Sequence, residues 1–264
     1  MGFYKKTLGI IKTNNSSVCV GLDSDINKIP DCLKNDPNPI WHFNKEIIDA
    51  TKSVVAAYKP NYAFYLSAGK KGLEALEKTI DYIPAHIPII LDVKCGDIGN
   101  TMEQYADGYF DVMKVDAITV NPLMGNDVYN AIFKKEKRFA FALSLTSNPS
   151  AKDYLIPNDL FKSISQDINK WGKTKLGAVV GATQTEQLRT LRETMPESLF
   201  LVPGVGAQGG SVKDVAVNAK ISSDLSGFLI NSSRAIIFAD NSENFAEAAY
   251  KSANSLRIDI NDFL

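Results

Sequence analysis

The feature that most constrains this chain is a short, nearly all-apolar run that returns eight times. The runs fall at residues 18–22, 54–59, 87–94, 117–121, 139–145, 176–181, 199–203 and 228–231. In most of them apolar residues follow one another instead of alternating. That is the pattern of strands covered on both faces, as in a parallel sheet. Between the runs the spacing turns helical. Met102, Tyr105, Tyr109 and Val112 recur at intervals of three and four, and so do Phe245, Ala249, Ala253 and Leu256 after the last run. Thr183 and Glu186 are spaced as a capping box ahead of Leu188 and Leu191. A further helix is expected before the first strand, at residues 3–12. Eight strand–helix units in 264 residues leave about 33 residues each, which suits an α/β fold, a (β/α)8 TIM barrel with an extra N-terminal helix. The rival is an open doubly wound sheet. It is disfavoured because no Gly-x-Gly-x-x-Gly follows the first run and because eight units suit closure. No linker, low-complexity tract or repeat interrupts residues 1–264, which are read as a single barrel domain.

Charge and composition narrow the function classes. Lys and Arg total 29 against 30 for Asp and Glu, so no global basic field exists to favour nucleic acid. The three cysteines, Cys19, Cys32 and Cys95, are far apart, which argues against a disulfide framework or a zinc cluster and for a reducing compartment. With two histidines, His42 and His86, both outside the polar clusters, a multi-histidine metal site is not expected. No apolar stretch is long enough to span a membrane, and no apolar segment follows the charges of the opening residues. The expectation is a cytoplasmic protein without a membrane or nucleic-acid partner. Trp41 and Trp171 are expected to pack rather than to bind.

In a barrel of this kind the chemistry gathers at the C-terminal ends of the strands. There the sequence places Asp23, Lys59, the set Asp92, Lys94 and Asp97, Asn121, Thr146 with Ser147, and Ser232-Ser233-Arg234. Asp92 and Lys94 are two apart at the end of a buried run, so they share a face and should pair, because an unpaired buried ion is very costly. Lys59 ends the neighbouring strand. Two lysines beside these carboxylates make a charged array more natural than one bridge, although a purely structural ion pair closing the barrel remains open. The glycine run 203–210 after the seventh strand and Arg234 after the eighth occupy the usual phosphate position of such barrels. The residues alone therefore point to a phosphorylated small molecule with a Lys/Asp array at its reacting end. They do not name the reaction.

The run Asp92-x-Lys94-x-x-Asp97-Ile98-Gly99-Asn100-Thr101 resembles the signature of the orotidine 5′-phosphate decarboxylase family. The resemblance extends in order through Gly21-Leu22-Asp23, Lys59-Pro60-Asn61, Val120-Asn121-Pro122, Thr146-Ser147-Asn148-Pro149, the run from Pro203 to Gln208, and Ser233-Arg234. The Thr-Ser-Asn-Pro and Pro-Gly-Val-Gly-Ala-Gln runs are similar to the longer branch of that family. The resemblance implies a catalytic tetrad of Lys59, Asp92, Lys94 and Asp97, working without metal or cofactor to convert orotidine 5′-phosphate to UMP in pyrimidine biosynthesis. It implies that Asp23 meets a ribose hydroxyl, that Ser147 meets the pyrimidine, and that Gln208 and Arg234 hold the phosphate. Asn61, Asn121, Pro203 and Ser233 lie in the matching runs as further substrate contacts. It also implies a homodimer in which Asp97, Ile98 and Thr101 reach the neighbouring subunit's site. Two positions depart from the pattern: Cys95, where a basic or bulkier residue is expected, and Leu145, where a polar one is common. The alternatives are a magnesium-dependent sugar-phosphate decarboxylase or synthase of the same barrel group, disfavoured because Lys59 ends the second strand where those enzymes carry an acid, a Schiff-base aldolase, and a non-catalytic nucleotide-binding barrel.

Overall fold

The computed structural model describes residues 1–183, 185–205, 209–222 and 225–264. Eight parallel strands form one sheet: β1 (Val18–Leu22), β2 (Ala57–Pro60), β3 (Ile90–Cys95), β4 (Ala117–Val120), β5 (Ala140–Leu145), β6 (Leu176–Val180), β7 (Phe200–Pro203) and β8 (Phe228–Ser232). Their order is β2-β1-β8-β7-β6-β5-β4-β3, with neighbours in this order parallel. The two ends of that sheet meet through isolated bridges, Tyr58 to Ile89 and Asn61 to Asp92, and the Tyr58 N–H donates to the Pro88 carbonyl at 3.0 Å. The sheet thus closes into the expected barrel, and its closing seam lies between β2 and β3.

All eight expected strands are present, each shifted by a few residues at most. β2 starts at Ala57 rather than at 54, because Val54 still belongs to the turn from the preceding helix, its N–H bonded to the Thr51 carbonyl. β3 starts at Ile90 rather than at 87, since Pro88 has no N–H to give to a ladder. The N-terminal helix runs Phe3–Asn14, two residues longer than expected, and ends where Asn15 turns left-handed (φ 44°). It covers the N-terminal mouth of the barrel. Phe3 packs on Phe139 and Phe141, with ring centroids 4.6 and 5.6 Å away, and Lys6 bonds Asp116 at 2.7 Å.

The helix expected after Thr183 is present over Thr185–Thr194, and the Thr183 hydroxyl donates to the Ser147 carbonyl at 3.4 Å. One local expectation is corrected. The stripe through Met102, Tyr105, Tyr109 and Val112 does not stay on one buried face. Helix Gly99–Ala106 widens into a π-turn at Asp107–Val112, which rotates Val112 out to 75% exposure while Met102 stays buried. The turn brings Asp107 and Asp111 together on Arg138 and Lys135. By contrast, Phe245, Ala249 and Ala253 are buried on helix Phe245–Asn261 as expected. Trp41 packs edge-on to Tyr82, and Trp171 packs on Phe133 and Tyr129.

The N-terminal ends of β7 and β8 are tied by one buried cation. Arg192 donates to the carbonyls of Ala219, Met195, Ser198 and Gly227 at 2.8, 2.9, 2.8 and 3.2 Å, and lies 3.7 Å over the Phe200 ring. Arg192→Met keeps the apolar stem and strands those acceptors. We expect it to lower the unfolding free energy by about 3 kcal/mol, read as a lower urea midpoint at unchanged slope.

Candidate active site

The site is built at the C-terminal rim, across the closing seam. Asp92 on β3 takes three donors. Lys59 Nζ on β2 reaches its Oδ2 at 2.6 Å, Lys94 Nζ reaches its Oδ1 at 2.6 Å, and the Thr119 hydroxyl on β4 donates to Oδ1 at 2.8 Å. The side chains of Lys59 and Asp92 are 5% and 9% exposed, whereas that of Lys94 is 51% exposed and faces the cleft. The expected pairing of Asp92 with Lys94 is present, but its route differs from a plain strand. Leu91 pairs with Ile118 and Cys95 with Val120, so β3 advances four residues while β4 advances two. The surplus is taken up in a bulge in which Lys94 adopts φ +46°. A side chain in that left-handed region carries about 1–3 kcal/mol of strain, which surrounding contacts must hold in place.

The electrostatics follow from this packing. Burial opposes the charge on Asp92, but the Lys59 and Lys94 ammoniums outweigh it and hold the carboxyl well below the usual carboxylate range. Burial likewise opposes the charge on Lys59, and Asp92 and Asp23 outweigh it, so its ammonium is held above the usual lysine value. Burial pushes the Cys95 thiol up to about 12, so it stays protonated beside this array.

A cleft of about 810 Å³ opens over the array. Among the residues singled out in the sequence, Asp23, Lys59, Asn61, Asp92, Lys94, Asn121, Thr146, Ser147, Pro203, Ser232, Ser233 and Arg234 line it. Leu143, Val179 and Leu201 supply an apolar floor. Asn61 and Asn121 also cap their own loops, accepting from the N–H groups of Ala63 and Leu123 at 3.3 and 3.1 Å. Two glycines make the close approaches possible. A Cβ on Gly21 would lie 1.8 Å from Ser233 Oγ, and one on Gly181 would lie 2.6 Å from Ser147 Cα.

Three singled-out residues lie elsewhere. Asp97, Ile98 and Thr101 line a separate depression of about 500 Å³, with the Asp97 carboxylate accepting from the Ile98 N–H at 2.8 Å. Within this chain the expected tetrad is therefore a triad, Lys59–Asp92–Lys94. Gln208 lies outside the described residues.

Thr119 and Asn231 also line the cleft, and neither was given a role from the sequence. Thr119 sits mid-strand, where a threonine signals only β-propensity. Asn231, on β8, has a buried Oδ1 with no hydrogen-bond partner among the described residues, as does Asp23 just after β1. The position of Asn231 just ahead of Ser232-Ser233-Arg234 was the available signal. Among the described residues no group of three or more His, Cys, Asp and Glu side chains converges as a metal-binding set.

A family model described as "Orotidine 5'-phosphate decarboxylase / HUMPS family" matches residues 16–249. The chain belongs to this family. It is 44% identical over 263 residues to the orotidine 5′-phosphate decarboxylase of Parabacteroides distasonis, covering 96% of this chain and 93% of that one. Among solved structures it is similar to Leishmania donovani OMP decarboxylase, with 32% identity, a TM-score of 0.80, and 98% and 100% of the two chains covered. It is also similar to orotidine 5′-monophosphate decarboxylase from Methanocaldococcus jannaschii, solved with the inhibitor BMP, at 25% identity and a TM-score of 0.67 over 90% of this chain and 97% of that one. In family terms, the bulge on β3 carries the Asp-x-Lys part of the signature.

The pKa directions set a pH window. Asp92 has a depressed value in the fold, so its contribution is complete above its unfolded value of about 3.9 and is lost as pH falls through the lower folded value. The raised value of Lys59 makes its contribution complete below about 10.4 and lost only as pH rises through the higher folded value. The stability deficit of Asp92→Asn should therefore be flat across the neutral range and shrink in acid below about pH 4. Urea unfolding of both proteins from pH 3 to 8 measures this.

Proposed function

We propose that this chain is an orotidine 5′-phosphate decarboxylase, forming UMP and carbon dioxide in pyrimidine nucleotide synthesis, and that residues 1–264 work as one barrel domain. The observation that carries the reading is the carboxylate of Asp92 fixed between two ammoniums, one of which, Lys94, faces the cleft. Orotidine 5′-phosphate seats its pyrimidine over the apolar floor with Ser147 at the ring and Asp23 at a ribose hydroxyl. Arg234 and Gln208 take the phosphate, and Asn61, Asn121, Pro203 and Ser233 complete the lining.

The bond from the pyrimidine C6 to the carboxylate carbon breaks, and its electron pair stays on C6. The Lys94 ammonium stabilises that carbanion and delivers its proton to C6; the amine then regains a proton from solvent. Asp92 aims Lys94 and sets a negative charge beside the departing carboxylate. Lys59 keeps Asp92 ionised. This chemistry asks for no metal, and Lys59 stands at the end of β2 where the magnesium-dependent relatives carry an acid. Phosphate contacts remote from C6 supply binding energy that is used at the ring.

The working form is a homodimer in which Asp97, Ile98 and Thr101 complete the partner's site. Their separation from the cleft within one subunit and the exposure of Ile98, at 49%, support this. Among the described residues no helix is long and apolar enough to cross a membrane. Three free cysteines suit the reducing cytoplasm as the place of work.

The test is the ultraviolet decay of orotidine 5′-phosphate with EDTA-treated protein. Wild type should turn it over undiminished by EDTA, and Lys94→Ala should lose at least about a thousandfold in rate. UMP binding without any wild-type turnover would reject the reading; turnover restored only by magnesium would move the chain to the metal-dependent relatives. For the shared site, Asp97→Ala and Lys94→Ala should each be nearly inactive and regain activity when mixed, through hybrid dimers with one intact site. Verified subunit exchange without recovery would rule the shared site out.

A further inference from the structure

We infer that Thr119 is a positioning residue for the reaction: its hydroxyl holds the β3 bulge in the conformation that brings the Lys94 ammonium and the Asp92 carboxylate together. This rests on the decarboxylase reading for its kinetics, but not for its structural readout.

A hydroxyl has one hydrogen to give and two lone pairs to receive. Thr119 Oγ1 uses all three. It accepts from the Val93 N–H at 3.1 Å and the Lys94 N–H at 2.9 Å, and donates to Asp92 Oδ1 at 2.8 Å. It therefore has nothing left for a substrate, although it lines the cleft and is 2% exposed. Its partners are the three consecutive residues of the bulge. The register explains why it is needed. Two surplus residues on β3 lift Val93 and Lys94 off the β4 backbone ladder, and their N–H groups would otherwise lack a protein acceptor at a part-buried strand end. The side chain of Thr119 stands in for the backbone acceptors that the bulge removes. Its single proton then fixes the Asp92 oxygen that also receives Lys94 Nζ. One side chain thus sets both the left-handed turn at Lys94 and the orientation of its counter-ion.

Valine has the shape of threonine without the hydroxyl, and serine has the hydroxyl without the methyl, so the two variants separate polarity from packing. Thr119→Val should lower kcat about ten- to a hundredfold by loosening reacting geometry, with UMP affinity within about threefold of wild type. Thr119→Ser should stay within about threefold of wild type in both. Independently of activity, amide hydrogen exchange at Val93 and Lys94 should be at least about tenfold faster in the valine variant and near wild type in the serine variant. A valine variant with wild-type kcat, a serine variant as slow as valine, or unchanged protection of both amides would each overturn the inference. If the valine variant does not fold, Thr119→Ala is measured in the same way, and a wild-type rate and protection there overturn it as well. If wild type itself does not consume orotidine 5′-phosphate, the decarboxylase reading fails, while the exchange measurement still decides the role of Thr119.

Discussion

The clamp of Lys59 and Lys94 on Asp92 is the interaction on which the rest of the site depends. It stands where the barrel is least tied by backbone, since β2 and β3 meet only through isolated bridges. Removing one member of a buried pair costs about 3–5 kcal/mol because the survivor is left uncompensated. Yet a buried ion pair as a whole is often no more stabilising than apolar residues of the same volume. A barrel that needed only closure would be served as well by leucines. A charge array at this seam, half of it facing a cleft, makes sense for what it does to a ligand, and its contribution to closure is secondary.

Around that array the barrel divides its work between two ends. At the N-terminal end most buried polar groups are held by other parts of the chain, although Thr7 Oγ1 has no hydrogen-bond partner among the described residues. Arg192 gathers four carbonyls, and the Phe3–Asn14 helix covers the mouth. At the C-terminal end Asp23 and Asn231 keep buried acceptor atoms with no partner among the described residues. Native interiors seldom leave such atoms unpaired. Both residues line the cleft, Asp23 just after β1 and Asn231 on β8.

How much of this was legible in the sequence depended on the physical signal each part carries. The strands were legible because burial on both faces leaves continuous apolar runs, and only their edges moved, as at Pro88, where a missing donor shortens β3. The pairing of Asp92 with Lys94 followed from two-residue spacing, although a bulge and not a regular strand delivers it. Thr119 was invisible, since a mid-strand threonine looks the same whether its hydroxyl is idle or fully engaged. The stripe from Met102 to Val112 misled because a π-turn shifts the helical phase, and nothing in apolar spacing announces that shift. Asp97, Ile98 and Thr101 were marked by motif alone, and their place in this chain is a separate depression.

The left-handed backbone at Lys94 carries a further consequence. Glycine would take that conformation freely, and any side chain there is held against its preference. The position therefore sets conformational ease against the one amine that faces the cleft from the bulge. A chain free to drift toward stability alone would be drawn to glycine at residue 94 and would lose its chemistry on the way. The strained lysine is in this sense a record of selection. It marks the residue at which being a barrel and being an enzyme ask for different amino acids.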